Sequence, residues 1–153
     1  MTPKTIRNLT PFPIAIYARE GLVRSKRGNL RHPSTAENRD PLIVFMPDGI
    51  IARALAEGGE ETEALCIRQP LDPGPEVLIP VCSPRQLNRT SRLPLPAEGV
   101  MLLVTWKIGA AAVAEGRDCS DILTVGEEVC NDLGAVIGYA NLRRVVVPTG
   151  RTP

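Results

Sequence analysis

Proline and glycine set the limits on what this chain can fold into. Its 153 residues include 15 prolines and 13 glycines, spread along the whole length. Each proline removes a backbone donor and fixes φ, and each glycine invites a turn. Long helices and long unbroken strands are therefore excluded over most of the chain. What remains is a set of short apolar runs separated by turn chemistry.

Those runs read mainly as strands. Ile14–Tyr17 alternates, with Ile14 and Ile16 on one face. Leu42–Met46 is apolar throughout and ends at Pro47-Asp48-Gly49. Ile50–Leu55 follows, with a short helix as the alternative its alanines allow, then Ala64–Arg68 and Glu76–Ile79, the last ended or bulged at Pro80 or continued at an edge by Val81-Cys82. Pro70, Pro73 and Pro75 form a rigid loop. The segment from Ser83 to Arg92 is polar and shows no periodicity. Val100–Val104 is the clearest buried strand. The best helix spans about 105–115, with Thr105 as its cap, an apolar face of Ile108, Ala111, Ala112 and Val113, and Gly116 as its stop. Ile122–Val125 and Glu127–Val129 are strands. Asn131–Gly134 is a hairpin-type turn into Ala135–Tyr139. Leu142 and Val145–Val147 make the last strand, ended by Pro148. The fold class expected is α+β, mostly β, built of short antiparallel strands with one helix. Residues 1–153 form a single domain, with a basic loop or hairpin insertion at 19–42 and an exposed tail at 149–153. Exposed strand edges predict a homo-oligomer that covers them.

Composition removes several function classes. Hydrophobic residues make up 43% and charged residues 23%, the balance of a globular domain. No apolar run is long enough to span a bilayer, so no membrane partner is expected. A net charge of +1 argues against a whole-protein nucleic-acid footprint, and 3% aromatics are too few for a base-stacking platform. No signal-peptide pattern follows Met1. Cys66, Cys82, Cys119 and Cys130 are widely spaced, which argues against a zinc site; with no secretion signal they read as free thiols, a disulfide pair being the alternative inside a virion or outside a cell.

Catalytic patterns are scarce. No phosphate-binding Gly-x-x-x-x-Gly-Lys, dinucleotide Gly-x-Gly-x-x-Gly or Gly-x-Ser-x-Gly elbow occurs. The single histidine, His32, sits in the basic stretch and reads as a loop residue. Asp118 with Asp121, and Glu127 with Glu128, are carboxylate pairs that read as solvated loop groups. No catalytic residue, metal ligand or cofactor is assigned, and the protein is expected not to be an enzyme. The suggestive polar residue is arginine. Arg53 interrupts an apolar run, and Arg143 and Arg144 precede the last one. Each is either a solvent-facing charge or a fork for phosphate or carboxylate. Trp106 opens the helix as a core anchor or as a stacking surface for a base. The basic stretch itself is either a solvated loop or an anion- or partner-binding arm.

Several motifs, taken in order, carry a resemblance. They are Asn8-Leu9-Thr10-Pro11-Phe12-Pro13-Ile14, Pro47-Asp48-Gly49-Ile50-Ile51-Ala52-Arg53, Leu93-Pro94-Leu95-Pro96-Ala97-Glu98-Gly99 with the alanine-rich helix after it, and Val129 to Gly138. The chain resembles small phage and prophage proteins with Asn-Leu-Thr-Pro-His-x-Ile openings, and through them is similar to phage anti-Thoeris sponges. That resemblance implies an oligomer that sequesters a cyclic ADP-ribose-type signal without cleaving it. The basic stretch then looks like an insertion. Two departures stand out: the family histidine is Phe12 here, and its Arg-Asp pair is Cys130-Asn131.

Three functional classes are therefore weighed. The first is a non-enzymatic oligomeric protein of phage type, in the host cytoplasm, sequestering a nucleotide-derived anion. Its ligand site would be Arg53, Asn131, Arg143 and Arg144, with Trp106 or Tyr139 stacking a base. The alternative is a structural or decoration protein whose partners are virion proteins. An enzyme using Cys130 or the carboxylates near 118–128 ranks last.

Overall fold

The computed structural model describes residues 2–32, 40–68 and 74–146. The tail at 149–153, the end of the last strand at Val147 and Pro148, the prolines at 70 and 73, and Pro33, Ser34, Glu37 and Arg39 of the basic stretch lie outside the described residues. In chain order the first strands are β1 (Thr5–Asn8), β2 (Ile14–Ile16), β3 (Val23–Arg24), β4 (Leu30–Arg31) and β5 (Ile43–Phe45). Then come β6 (Arg53–Glu57), β7 (Glu61–Ile67), β8 (Val77–Cys82), β9 (Gln86–Ser91) and β10 (Val100–Val104). Helix α1 (Trp106–Ala114) precedes β11 (Ile122–Val125), β12 (Glu128–Cys130), β13 (Val136–Tyr139) and β14 (Leu142–Arg144). The fold is α+β, mostly β, and the one helix among the described residues lies where the alanine-rich run predicts it.

Four sheets result. One has four strands in the order β1-β10-β11-β14, and one has six in the order β3-β4-β12-β13-β2-β5. β6 pairs with β9 alone, and β7 with β8 alone. The expectation of antiparallel strands holds for β12-β13, β2-β5, β3-β4, β11-β14 and the two small sheets. It is corrected at the centre, where β10 runs parallel to both β1 and β11, and where β12-β4 and β13-β2 are parallel. Val100–Val104 shows why. Five consecutive apolar residues need cover on both faces, which a central parallel strand supplies, and the helix before β11 makes the crossover. Met101 to Val104 are all buried.

The core follows from this βαβ unit. Leu9, Leu102, Val104, Ile108, Ala112 and Ile122 pack together with Ala52 and Cys119. α1 rests on β6, β9 and β11. Thr105 takes extended geometry at the N-cap, but its hydroxyl makes no capping bond; its carbonyl accepts from the Ile108 and Gly109 amides instead. At the other end Gly116 adopts φ +79°, and the Gly116 and Arg117 amides donate to the Val113 and Ala112 carbonyls. That is the left-handed helix stop for which glycine is suited.

Three elements depart from expectation. β1 falls before the turn-rich opening. β9 lies in the polar stretch, where Thr90 donates from its amide (2.9 Å) and its hydroxyl to the Glu115 carboxylate. β14 begins earlier than the valine run. β8 continues through Pro80 to Cys82, the edge continuation expected of Val81-Cys82. The basic stretch forms the β3-β4 hairpin, and Leu30 is buried.

Candidate functional site

The six residues expected to share a ligand do not converge. Arg53 begins β6 opposite Ser91 and is exposed; its neighbours Ala52 and Ala54 turn into the core, which sends Arg53 outward. Among the described residues it joins no ion pair. Asn131 is a turn former. Its Oδ1 accepts from the Leu133 amide at 3.0 Å and the Ala135 amide at 2.9 Å, so its carbonyl is committed to the β12-β13 hairpin. Arg144 donates to the Ser120 carbonyl at 2.9 Å, while Arg143 stands opposite Thr124 on β14. Tyr139 lies in the other large sheet, opposite Glu128 and beside Ile16. Burial, reinforced by the Glu128 charge, pushes its hydroxyl above the usual tyrosine range.

Trp106 is not a core anchor. It is 67% exposed, and the Lys107 ammonium lies 5.9 Å from its ring centre. It forms the rim of a shallow groove of about 360 Å³ with Gly109, Val113, Thr124 and Val145. Because Thr124 lines this groove and Arg143 is its cross-strand partner, Trp106 and Arg143 are the two expected residues that come closest to one surface.

The remaining polar candidates have structural occupations. Asp121 is buried in a two-pronged pair with Arg117, at 2.7 and 2.9 Å, and Arg117 also donates to the Pro94 and Asp118 carbonyls. The hydrogen bonds to Asp121 raise the guanidinium above its ordinary value. Asp118 accepts from the Ser120 amide at 2.9 Å, which holds its carboxyl below the usual range. Glu127 is bonded by Arg24 at 2.9 Å. His32 packs edge-on against Tyr17 and its amide donates to the Cys130 carbonyl. All four cysteines are free thiols, Cys119 and Cys130 buried, Cys66 and Cys82 exposed. Among the described residues no three His, Cys, Asp or Glu side chains gather as a metal site, and no helix is long and apolar enough to cross a membrane.

The surface that sequence reasoning missed is the β7-β8 ribbon. Every residue of β7 is exposed, and neither strand packs substantially on any element but the other. Register puts Leu65 opposite Ile79, Ile67 opposite Val77, and Glu63 opposite Val81. Alternation therefore gathers Leu65, Ile67, Val77, Ile79 and Val81 on one face, with Glu63 at its end opposite Val81. The first four are 47%, 41%, 56% and 47% exposed, an aliphatic sheet face open to water. A signal for it exists in the sequence: Leu65 and Ile67, and Val77 and Ile79, are each two residues apart on either side of a proline-rich loop. A second apolar strip runs along β5, where Leu42, Ile43, Val44 and Met46 are exposed on the sheet edge. Comparison with known protein families, curated proteins and solved structures finds nothing that matches this chain.

Proposed function

We propose that this chain is a non-enzymatic, self-associating subunit of a larger assembly, in the structural or decoration class. The observation that carries this reading is the aliphatic face of the β7-β8 ribbon. A two-stranded hairpin is marginal in water, and one that exposes a continuous apolar face needs cover to be stable. The cover must be apolar, flat and present wherever the chain is. A second copy of the same face meets all three conditions, and two such faces stack as sheets do, about 10 Å apart, around a twofold axis. The β5 strip supplies a separate contact for growth beyond a pair. Subunits of this kind belong to the particle they build, the virion in the reading weighed above. The sequestration reading centres on Arg53 with Arg143 or Arg144 and with Trp106 or Tyr139 as a stacking surface; Arg53 lies on β6, the other arginines on β14 and Tyr139 in the other large sheet, so assembly is preferred.

Native mass spectrometry of the purified chain tests it, together with the double variant Leu65→Asp and Ile79→Asp. The wild type is expected as an oligomer, and the variant as a smaller species with unchanged circular dichroism, because the ribbon is separate from the core. A wild-type monomer at high micromolar concentration overturns the proposal.

A further inference from the structure

The β3-β4 hairpin encloses a recess of about 600 Å³ whose lining includes Arg24, Ser25, Lys26, Arg27, Arg31 and Asp132. Four of those six side chains are cations. Their positions are built by a tight turn: the Ser25 amide donates to the Asn29 carbonyl at 2.8 Å, the Gly28 amide to the Ser25 carbonyl at 2.9 Å, and Gly28 takes φ +87°. This holds Lys26 and Arg27 side by side at the tip. Two of the cations are held by ion pairs, one of them to Asp132 in the wall itself. Arg31 pairs with Asp132 at 2.7 Å, and Arg24 with Glu127 at 2.9 Å while donating to the Gly28 carbonyl at 2.6 Å. Lys26 and Arg27 join no ion pair among the described residues. The anchors fix the guanidinium of Arg24 and of Arg31 in the walls, and the two unpaired cations supply the surplus positive charge.

We propose that this recess is a binding site for a phosphate-bearing small molecule. A phosphate presents several acceptor oxygens and more than one negative charge. Guanidinium donors held by ion pairs beside an exposed ammonium match it in geometry and charge. A carboxylate ligand would satisfy fewer of the donors, and an uncharged ligand none of the surplus charge. The site is independent of the ribbon and does not rest on self-association. It also gives the basic stretch a role that the assembly reading leaves open.

Isothermal titration calorimetry with inorganic pyrophosphate, ADP and adenosine tests the site, using wild type and the double variant Lys26→Glu and Arg27→Glu. Both residues are exposed in a turn, so the variant keeps the fold, which circular dichroism checks. Pyrophosphate and ADP are expected to bind the wild type, and the variant to bind both about tenfold more weakly or worse. ADP matching pyrophosphate assigns recognition to the phosphates alone; ADP binding more tightly adds the nucleoside to what the recess holds. Adenosine binding as well as ADP, no binding of pyrophosphate by the wild type, or equal binding by wild type and variant each overturns the proposal.

Discussion

Asn8 is a buried side chain with every polar atom used. Its Nδ2 donates to the Phe12 carbonyl at 2.7 Å and to the Phe45 carbonyl at 2.8 Å, and its Oδ1 accepts from the amide and hydroxyl of Thr10. Asn8 ends β1 in one large sheet and Phe45 ends β5 in the other, so one amide ties the two sheets together. Removing it strands carbonyls away from water, so Asn8→Ala is expected to lower stability by about 2–4 kcal/mol in urea unfolding. A change near zero would mean that water reaches the knot. The knot uses only the backbone of Phe12, and its side chain stands 63% exposed. Cysteines give a second test at this scale. Burial pushes the Cys119 thiol above its ordinary 9.0. A raised thiol pKa contributes stability that is fully present below pH 9 and is lost as pH rises beyond it. Iodoacetamide at pH 8 is expected to label Cys66 and Cys82 in the folded chain, and Cys119 and Cys130 only on unfolding; equal labelling of all four would contradict the burial. The thermal midpoint should fall above pH 9 and fall less in Cys119→Ala.

At the scale of elements, tight packing between strands leaves no room in β13. Gly138 lies between β12 and β2, and a Cβ there would sit 2.6 Å from the Ala15 carbonyl oxygen and 2.7 Å from the Tyr17 ring. Gly138→Ala is expected to cost about 1–3 kcal/mol, read by urea unfolding, because backbone must move to admit the methyl; an unchanged midpoint would show that β2 can shift. Which elements were legible in the sequence follows from how each is stabilised. β10 and α1 carry their own signals, a continuous apolar run and an alanine-rich periodic face. The Asn131–Gly134 turn carries its own chemistry. β9 does not, because Gln86–Ser91 holds a single large apolar residue and is kept extended by pairing with β6 and by the bond from Thr90 to Glu115. β1 is likewise set by its partner: its register against Val100–Leu103 makes it a strand, not its own pattern. The ligand set was illegible for a related reason. The surfaces that Arg53, Arg143, Arg144 and Tyr139 take are set by register between distant segments, which the linear order does not carry.

For the whole molecule, the core is small beside the apolar surface left outside it. The βαβ unit and the alanines packed against it bury well, yet the ribbon and the β5 edge present aliphatic side chains to water. Two separate apolar surfaces permit more than a pair of copies, since one contact can be repeated through the other. The proline within β8 sets a limit on how that repetition proceeds. Within sheets proline is confined to edges, with its missing donor on the solvent side. A third strand seeking to extend the ribbon past Pro80 would find no amide to bond, which makes the ribbon a poor seed for fibres. Along β8, contact through side-chain faces is thereby favoured over a backbone ladder. The apolar arm is blunted on that side as a template for a further strand.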